Sequence, residues 1–276
     1  MGEPSERLVP ACEFELALLS DIGNSRTNNE DCCGKWVESP TDAVFAVADG
    51  VGGYEGGEVA STMAVETVIE AYRESPAEWG PAKRLHRAVQ RANIEIYNRA
   101  ITVPELRRMA TTLTAATVNG GALSVAHVGD CRLYLLRSGQ VQQLTRDHTV
   151  VGEKVRMGLI SAKQARHHPE RSALNRCLGH ELIVSVDRIT TPLRQGDRLI
   201  LCSDGLYSVI EDHELDRLTR VLGAEAVCRL LIEEGVARGT IDNLTVAFLR
   251  MNGSTPFAPA PSGWRSRLRK LFGRGD

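Results

Sequence analysis

The chain is 276 residues long, 42% hydrophobic and 25% charged, with a formal net charge of -2. That length can bury the core of one large domain or two small ones, and the composition is that of a soluble globular protein. The near-neutral balance excludes a global basic field that would draw the whole molecule onto nucleic acid or a membrane, so a charge-driven partner has to be met by a local patch.

Residues 1–12 read as a short leader without the apolar centre of a signal peptide, and no stretch reaches the ~20 apolar residues of a membrane span. The seven cysteines are odd in number and form no C-x-x-C pair, so neither a zinc ribbon nor a thioredoxin-like site is supported. A reducing cytoplasm with free thiols is the expectation, with Cys131 and Cys202 as small core residues in apolar runs.

Apolar runs at 14–19 and 43–48 predict the first strands. Helical spacing follows: Val65, Val68, Ile69 and Tyr72 within 58–73, then Leu85, Val89, Ala92 and Ile96 within 82–100. Strands are expected at 113–118 and 123–128, joined by the hairpin signal Asn119-Gly120-Gly121, and at 133–136, closed by Ser138-Gly139. Runs at 182–189 and 198–202 predict two more. Val227, Leu230 and Leu231 mark a helix over 224–238 with Gly239 as its C-terminal cap, and 244–249 reads as the last strand. Pro256, Pro259 and Pro261 break the chain within 251–263. Residues 13–250 therefore read as one unit. Clean β-α-β alternation is absent, which predicts an α+β fold of antiparallel sheets with helices packed outside.

The placement of the aspartates carries the chemistry. Asp49-Gly50, Gly129-Asp130 and Asp204-Gly205 each close an apolar run, and Asp242-Asn243 opens the last one. A single Asp-Gly is most simply a turn. Four acids at the ends of buried strands are different, because a desolvated carboxylate is costly unless it is paired or bound to a metal. Convergence of such acids on one rim would make an all-oxygen cage suited to Mg²⁺ or Mn²⁺. Near the N-terminus, Arg26 offers a planar fork for phosphate and Glu30-Asp31 two further acids.

On these residues the sequence resembles the metal-dependent protein phosphatases of the type 2C-like (PPM) family, especially bacterial serine/threonine phosphatases. The matching motifs are Ser20-Asp21, Gly23, Arg26 and Asn29-Glu30-Asp31, then Ala48-Asp49-Gly50-Val51-Gly52-Gly53. Val128-Gly129-Asp130-Cys131-Arg132, Leu201-Cys202-Ser203-Asp204-Gly205-Leu206 and Asp242-Asn243-Leu244-Thr245 follow in the family's order, over about residues 13–250. The resemblance implies a four-layer α-β-β-α sandwich, two antiparallel sheets flanked by helix pairs. It implies two Mn²⁺ or Mg²⁺ ions bridged by water and a weaker third ion. Asp49 would bridge the two ions and the Gly50 carbonyl would complete one site. Asp204 and Asp242 would hold the other, with Asp31 acting through water and Glu30 supporting it. Asp130 would join Asp204 at the third site, where Ser172 is offered as an extra ligand. Arg26 would hold the substrate phosphate, so that Arg26, Asp49, Asp204 and Asp242 carry the catalysis. Phosphoprotein substrates and an opposing serine/threonine kinase are the implied partners.

Two positions depart from the family. Val51 and Tyr54 stand where members carry a histidine that could act as the acid; valine donates no proton, and tyrosine's ordinary pKa of about 10 makes it a poor acid at neutral pH. Residues 147–172 read as the flap over the site, with Thr149 capping one short helix and Ser161 and Gln164 forming a capping box for a second. The flap and His148 are expected to shape substrate access, and His127, on an apolar strand, to be a core residue. In the tail, Trp264, Leu268, Leu271 and Phe272 share a helical face among basic residues. Residues 263–274 thus fit membrane or partner contact, with a disordered tail as the alternative. A fold-retaining binding module without activity and a phosphatase of small esters or nucleotides are the competing functions.

Overall fold

Strand β3 (Asp42–Val51) shows why the sandwich forms. Its apolar run is continuous because both faces are covered: Val44, Ala46 and Ala48 pack one way and Phe45 and Val47 the other. In a strand alternate side chains leave opposite faces, so β3 belongs at once to a helix-facing layer and to the interface between sheets. Strand β10 (Arg198–Cys202) repeats this, with Leu199 and Leu201 between the sheets and Ile200 and Cys202 under helices.

The computed structural model describes residues 13–51, 56–76, 78–220 and 222–252. The leader at 1–12, Tyr54, most of the Pro-rich break and the 263–274 tail lie outside the described residues. One sheet is formed by β1 (Phe14–Asp21), β11 (Leu244–Met251), β10, β7 (Arg132–Arg137) and β8 (Gln140–Gln143), in that order. The other runs β2 (Asp31–Ser39), β3, β5 (Leu113–Asn119), β6 (Ala122–Val128) and β9 (Asp187–Pro192), with the short β4 (Ala110–Thr111) on the end of β3. Every pairing is antiparallel.

Helices α1 (Gly56–Glu74) and α2 (Pro81–Thr102) cover the second sheet through Val65, Val68, Leu85, Val89 and Ile96. Helices α6 (Asp212–Thr219) and α7 (Ala224–Ala237) cover the first through Leu215, Leu218, Val227 and Leu231. The four-layer α-β-β-α sandwich is thereby present. Gly239 ends α7 with φ +77°, the left-handed turn expected there. Among the described residues no helix is long and apolar enough to cross a membrane.

Three elements differ from the sequence reading. The run at 182–189 becomes a strand only from Asp187. Leu182 and Ile183 are instead exposed on a loop, where Asn93 Nδ2 on α2 donates to the carbonyls of Glu181 (2.9 Å) and Leu182 (3.1 Å). Edge strand β2 escapes an apolar-run reading because it contains Gly34 and Lys35. Gly34 is required there, since a Cβ would lie 2.7 Å from Val65 and 2.8 Å from Ile69 on α1. Strand β8 is a polar edge, and such strands give only a weak apolar signal.

Candidate active site

The antiparallel registers bring the acidic strand ends to one rim. Asp31 opens β2 directly opposite Asp49 near the end of β3. Cys202 at the end of β10 pairs with Val246, so Ser203-Asp204, where the short helix α5 (Asp204–Tyr207) begins, emerges beside Asp242-Asn243, which precede β11. Val128 ends β6, and Gly129-Asp130-Cys131 crosses from that sheet to β7 in the other. Gly129 adopts φ +108°, and a Cβ there would collide with Thr112. This crossing needs glycine for both reasons.

Hydrogen bonds tie the rim together across the two sheets. Ser203 Oγ donates to Asp31 Oδ2 (2.6 Å) and accepts from Thr245 N (3.0 Å). Asn243 Oδ1 accepts from Glu30 N (2.9 Å). The Asp49 backbone is clamped by Thr112 Oγ1 accepting from its N–H (3.1 Å) and by Thr111 Oγ1 donating to its carbonyl (2.9 Å). Gly50 N donates to Glu30 O (3.0 Å), and Glu30's carboxyl lies over Gly57 at the start of α1, where the helix dipole favours negative charge. A Cβ on Gly50 would strike Gly57 and Glu30 backbone, and one on Gly205 would strike Asn243. Both Asp-Gly glycines are therefore required by close chain approach.

The electrostatics are those of crowded, desolvated acids. Asp31 is pushed up to about 7, first by burial and then, against bonds from Ser203 and Thr245, by Asp204 and Asp242. Asp204 rises to about 6 through burial and Asp242, with Arg26, Arg171 and Arg132 pulling the other way. Asp49 and Asp130 stand well above the carboxylate range, by burial and then by neighbouring aspartates. Burial also raises Glu30. Arg26 Nη2 donates to Asp242 Oδ2 at 2.8 Å and Nε to Ile241 O at 3.3 Å, which holds an exposed guanidinium at the rim.

Arg26, Glu30, Asp31, Asp49, Gly50, Asp130, Asp204 and Asp242 are thus brought together. Ser172 is not visibly joined to them: it is exposed on the flap, although the adjacent Arg171 bears electrostatically on Asp204. Among the described residues no three Asp, Glu, His or Cys side chains are placed so that they could hold a metal ion as they stand.

The sequence gives no role to Ser203 and Asn243, although both stand in the matching motifs, and passes over Thr111 and Thr112; all four orient the acids from behind. It also passes over Tyr207, whose hydroxyl donates to Asp130 Oδ2 at 3.4 Å. Arg132 stacks over the Tyr207 ring at 3.8 Å and grips Asp147, its Nη2 to Oδ2 at 2.6 Å. The available signal was adjacency, since Ser203 and Asn243 each neighbour a strand-end aspartate.

The flap carries α3 (Val150–Arg156), capped by Thr149 Oγ1 accepting from Gly152 N (2.9 Å), and α4 (Ala162–Arg166) with the Ser161–Gln164 capping box. Arg166 docks α4 on the Tyr207 carbonyl (3.0 Å). At the flap's base, His148 Nδ1 accepts from Gly129 N (3.0 Å) and His148 N donates to Gly129 O (2.8 Å). His127 is buried with both ring nitrogens bonded, to Thr114 Oγ1 (2.7 Å) and Arg146 O (2.9 Å). The six described cysteines are free thiols, and Cys131 and Cys202 are buried.

Known proteins are similar to this chain in sequence and fold. The family model described as Protein phosphatase 2C matches residues 23–235. Serine/threonine phosphatase stp of Listeria innocua is 36% identical over 244 residues, covering 84% of this chain and 94% of that protein. Serine/threonine protein phosphatase PstP of Mycobacterium tuberculosis is 37% identical over 234 residues, 84% of this chain and 44% of that protein. A crystal structure of M. tuberculosis PstP superposes with a TM-score of 0.78 at 34% identity, covering 87% of this chain and 100% of that one. The PstP catalytic domain in complex with two manganese ions gives a TM-score of 0.77 at 33% identity, over 87% and 99% of the two chains. The chain belongs to the protein phosphatase 2C family.

Proposed function

We propose that this chain removes phosphate from phosphoserine and phosphothreonine of proteins, using divalent cations held at the carboxylate rim. The observation that supports this most directly is the gathering of Asp31, Asp49, Asp130 and Asp204 from both sheets, each raised in pKa by burial and by neighbouring carboxylates. An all-oxygen donor set of this charge fits hard divalent cations, which relieve the repulsion that the acids otherwise impose on one another. Asp49, the Gly50 carbonyl, Asp204 and Asp242 would hold two ions, Mn²⁺ or Mg²⁺, with Asp31 acting through water and Glu30 in support. Asp130 would join Asp204 at a weaker third site. When bound, such ions supply an acidified water and offset the charge of phosphate and transition state.

The chain's own residues do the rest. Arg26, fixed by Ile241 O and Asp242, presents a guanidinium to the phosphate oxygens at the mouth. Ser203 and Asn243 keep Asp31 and the Glu30 segment in register with β10 and β11. Val51 ends β3 with no proton to give, so this position contributes no acid to the leaving alkoxide. We read 13–250 as the catalytic unit with the flap over it, 251–276 as an appended linker and contact segment, the cytoplasm as the compartment, and a serine/threonine kinase as the opposing enzyme.

The test is phosphate release from a phosphothreonine peptide, with and without Mn²⁺, comparing wild type with Asp204→Ala. Metal-dependent release that collapses in the variant supports the reading. A wild type inert across metals and phosphopeptides, or a variant of full activity, sinks it.

A further inference from the structure

Two exposed isoleucines flank the arginine that meets the phosphate. Ile241 is 64% exposed and Ile22 39% exposed. Single exposed apolar side chains need no explanation, but the backbones of these two are fixed by the same bonds that fix the site. Asn243 Nδ2 donates to Ile22 O (3.0 Å), and Arg26 Nε donates to Ile241 O (3.3 Å). Gly23, with φ +73°, lets the 22–26 turn lie against Asp242, whose carbonyl would sit 2.6 Å from a Cβ at that position. Ile22, Arg26, Ile241 and Asp242 therefore form one rigid edge of the mouth, with both isoleucine side chains open to solvent.

We infer that Ile22 and Ile241 form an apolar wall that receives the side chain next to the phosphorylated residue of a substrate protein, so that phosphosites with an apolar neighbour are preferred. The inference rests on the protein-phosphatase reading above. The geometry supports it in two ways. Arg26, the proposed phosphate anchor, lies four residues after Ile22 and bonds the Ile241 carbonyl, and an extended substrate advances about 3.3 Å per residue, so its first or second neighbour would pass over this edge. The edge is also anchored on its polar side and bare on its apolar side, which leaves the apolar surface as what a neighbouring residue would cover.

The experiment uses phosphothreonine peptides with Leu, Ser or Glu at each of the two positions on either side, assayed with Mn²⁺. Wild type is expected to favour Leu over Ser at one of these positions by about tenfold in kcat/KM, the effect of burying about 60 Å² of apolar surface, mostly through KM. The double variant Ile22→Ser, Ile241→Ser should bring that ratio close to one. Ile241→Lys should reverse it, turning over the Glu peptide faster than the Leu peptide. A ratio of two peptides on one enzyme preparation cancels differences in folded fraction, and the reversal is a gain that misfolding cannot mimic. Equal rates for Leu and Ser peptides at all four positions, or a preference that survives the serine variant, would overturn the wall while leaving the phosphatase reading intact. No turnover of any peptide beside rapid hydrolysis of p-nitrophenyl phosphate would overturn the protein-phosphatase reading, and the wall with it.

Discussion

The two ends of the sandwich both bury charge, and they treat it in opposite ways. At the end where β10 begins and β11 finishes, carboxylates and guanidinia are matched inside the protein. Asp216 accepts from Arg198 and Arg220, Arg198 Nη1 reaches Thr219 Oγ1 (3.0 Å), and Arg137 forks onto Asp197 (2.8 and 2.6 Å). Burial alone would raise Asp216, but the bonds from Arg220 and Arg198 outweigh it and hold the carboxyl below its ordinary value. At the other end, burial and neighbouring acids push four aspartates up. Arg26 and the more distant Arg132 and Arg171 offset only part of that charge. One end shows how a fold neutralises buried charge for its own stability, and the other how it gathers charge for a ligand to neutralise.

Experiments can break that contrast. The largest expected effect is on activity: Asp49→Asn should lower kcat by at least about 10²-fold, the scale of losing one preorganised electrostatic contact, in steady-state assays with Mn²⁺. The structural end should respond in stability instead. Asp216→Asn leaves Arg198 buried without its carboxylate and should cost about 3–5 kcal/mol in denaturant unfolding. A cost under about 1 kcal/mol would mean the pairing is not what stabilises that end.

Raised and lowered carboxyls should also respond to pH with opposite signs. Asp31 (about 7) and Asp204 (about 6) titrate above an unfolded aspartate, so between about pH 4 and 7 the folded state binds the extra protons. Chelator-treated protein should therefore lose on the order of 2 kcal/mol as pH rises through that window, and Mn²⁺ should restore it, followed by thermal melts. Glu214 lies between helices and is held down to about 2, chiefly by Arg238 (2.7 and 2.9 Å). Its contribution is full above about pH 4.5 and is lost as pH falls toward 2. Glu214→Gln should cost about 1 kcal/mol at pH 7, allowing for solvent screening, and close to nothing near pH 2. The smallest effect belongs to the flap. Thr149→Ala removes the cap of α3 and should cost about 0.5–1 kcal/mol locally, visible as faster amide exchange in 150–156 with little change in the global melt.

Much of the fold was legible because local pattern and tertiary need agree. The runs that became β3, β5, β6, β10 and β11 are apolar on both faces, which only a strand between two packed layers requires. The helices announced themselves by their spacing, and Gly239 and Thr149 by their capping chemistry. Gly34 misled in β2 because its cause lies on α1, about 30 residues away in sequence. The run at 182–189 misled for the converse reason: Leu182 and Ile183 are apolar without being buried. Within the site, Asp49, Asp130, Asp204 and Asp242 were legible as acids at strand ends, and Arg26, Glu30 and Asp31 through their ordered motif. The roles of Ser203, Tyr207 and Arg132 were not, because a hydroxyl or guanidinium becomes part of a site only through the atom it touches.

The sequence by itself determined most of the elements, the family and the identity of the acids, since burial on two faces, caps and the ordered Asp-Gly motifs are written in neighbouring residues. The tertiary structure alone decided that Asp31 faces Asp49 across β2 and β3, that Ser203 reaches Asp31 from the other sheet, and that Ile22 lies beside Asn243. Those proximities join residues 18, 172 and about 220 positions apart, and only strand register and sheet order, which the packing of the whole core selects, can bring them within reach.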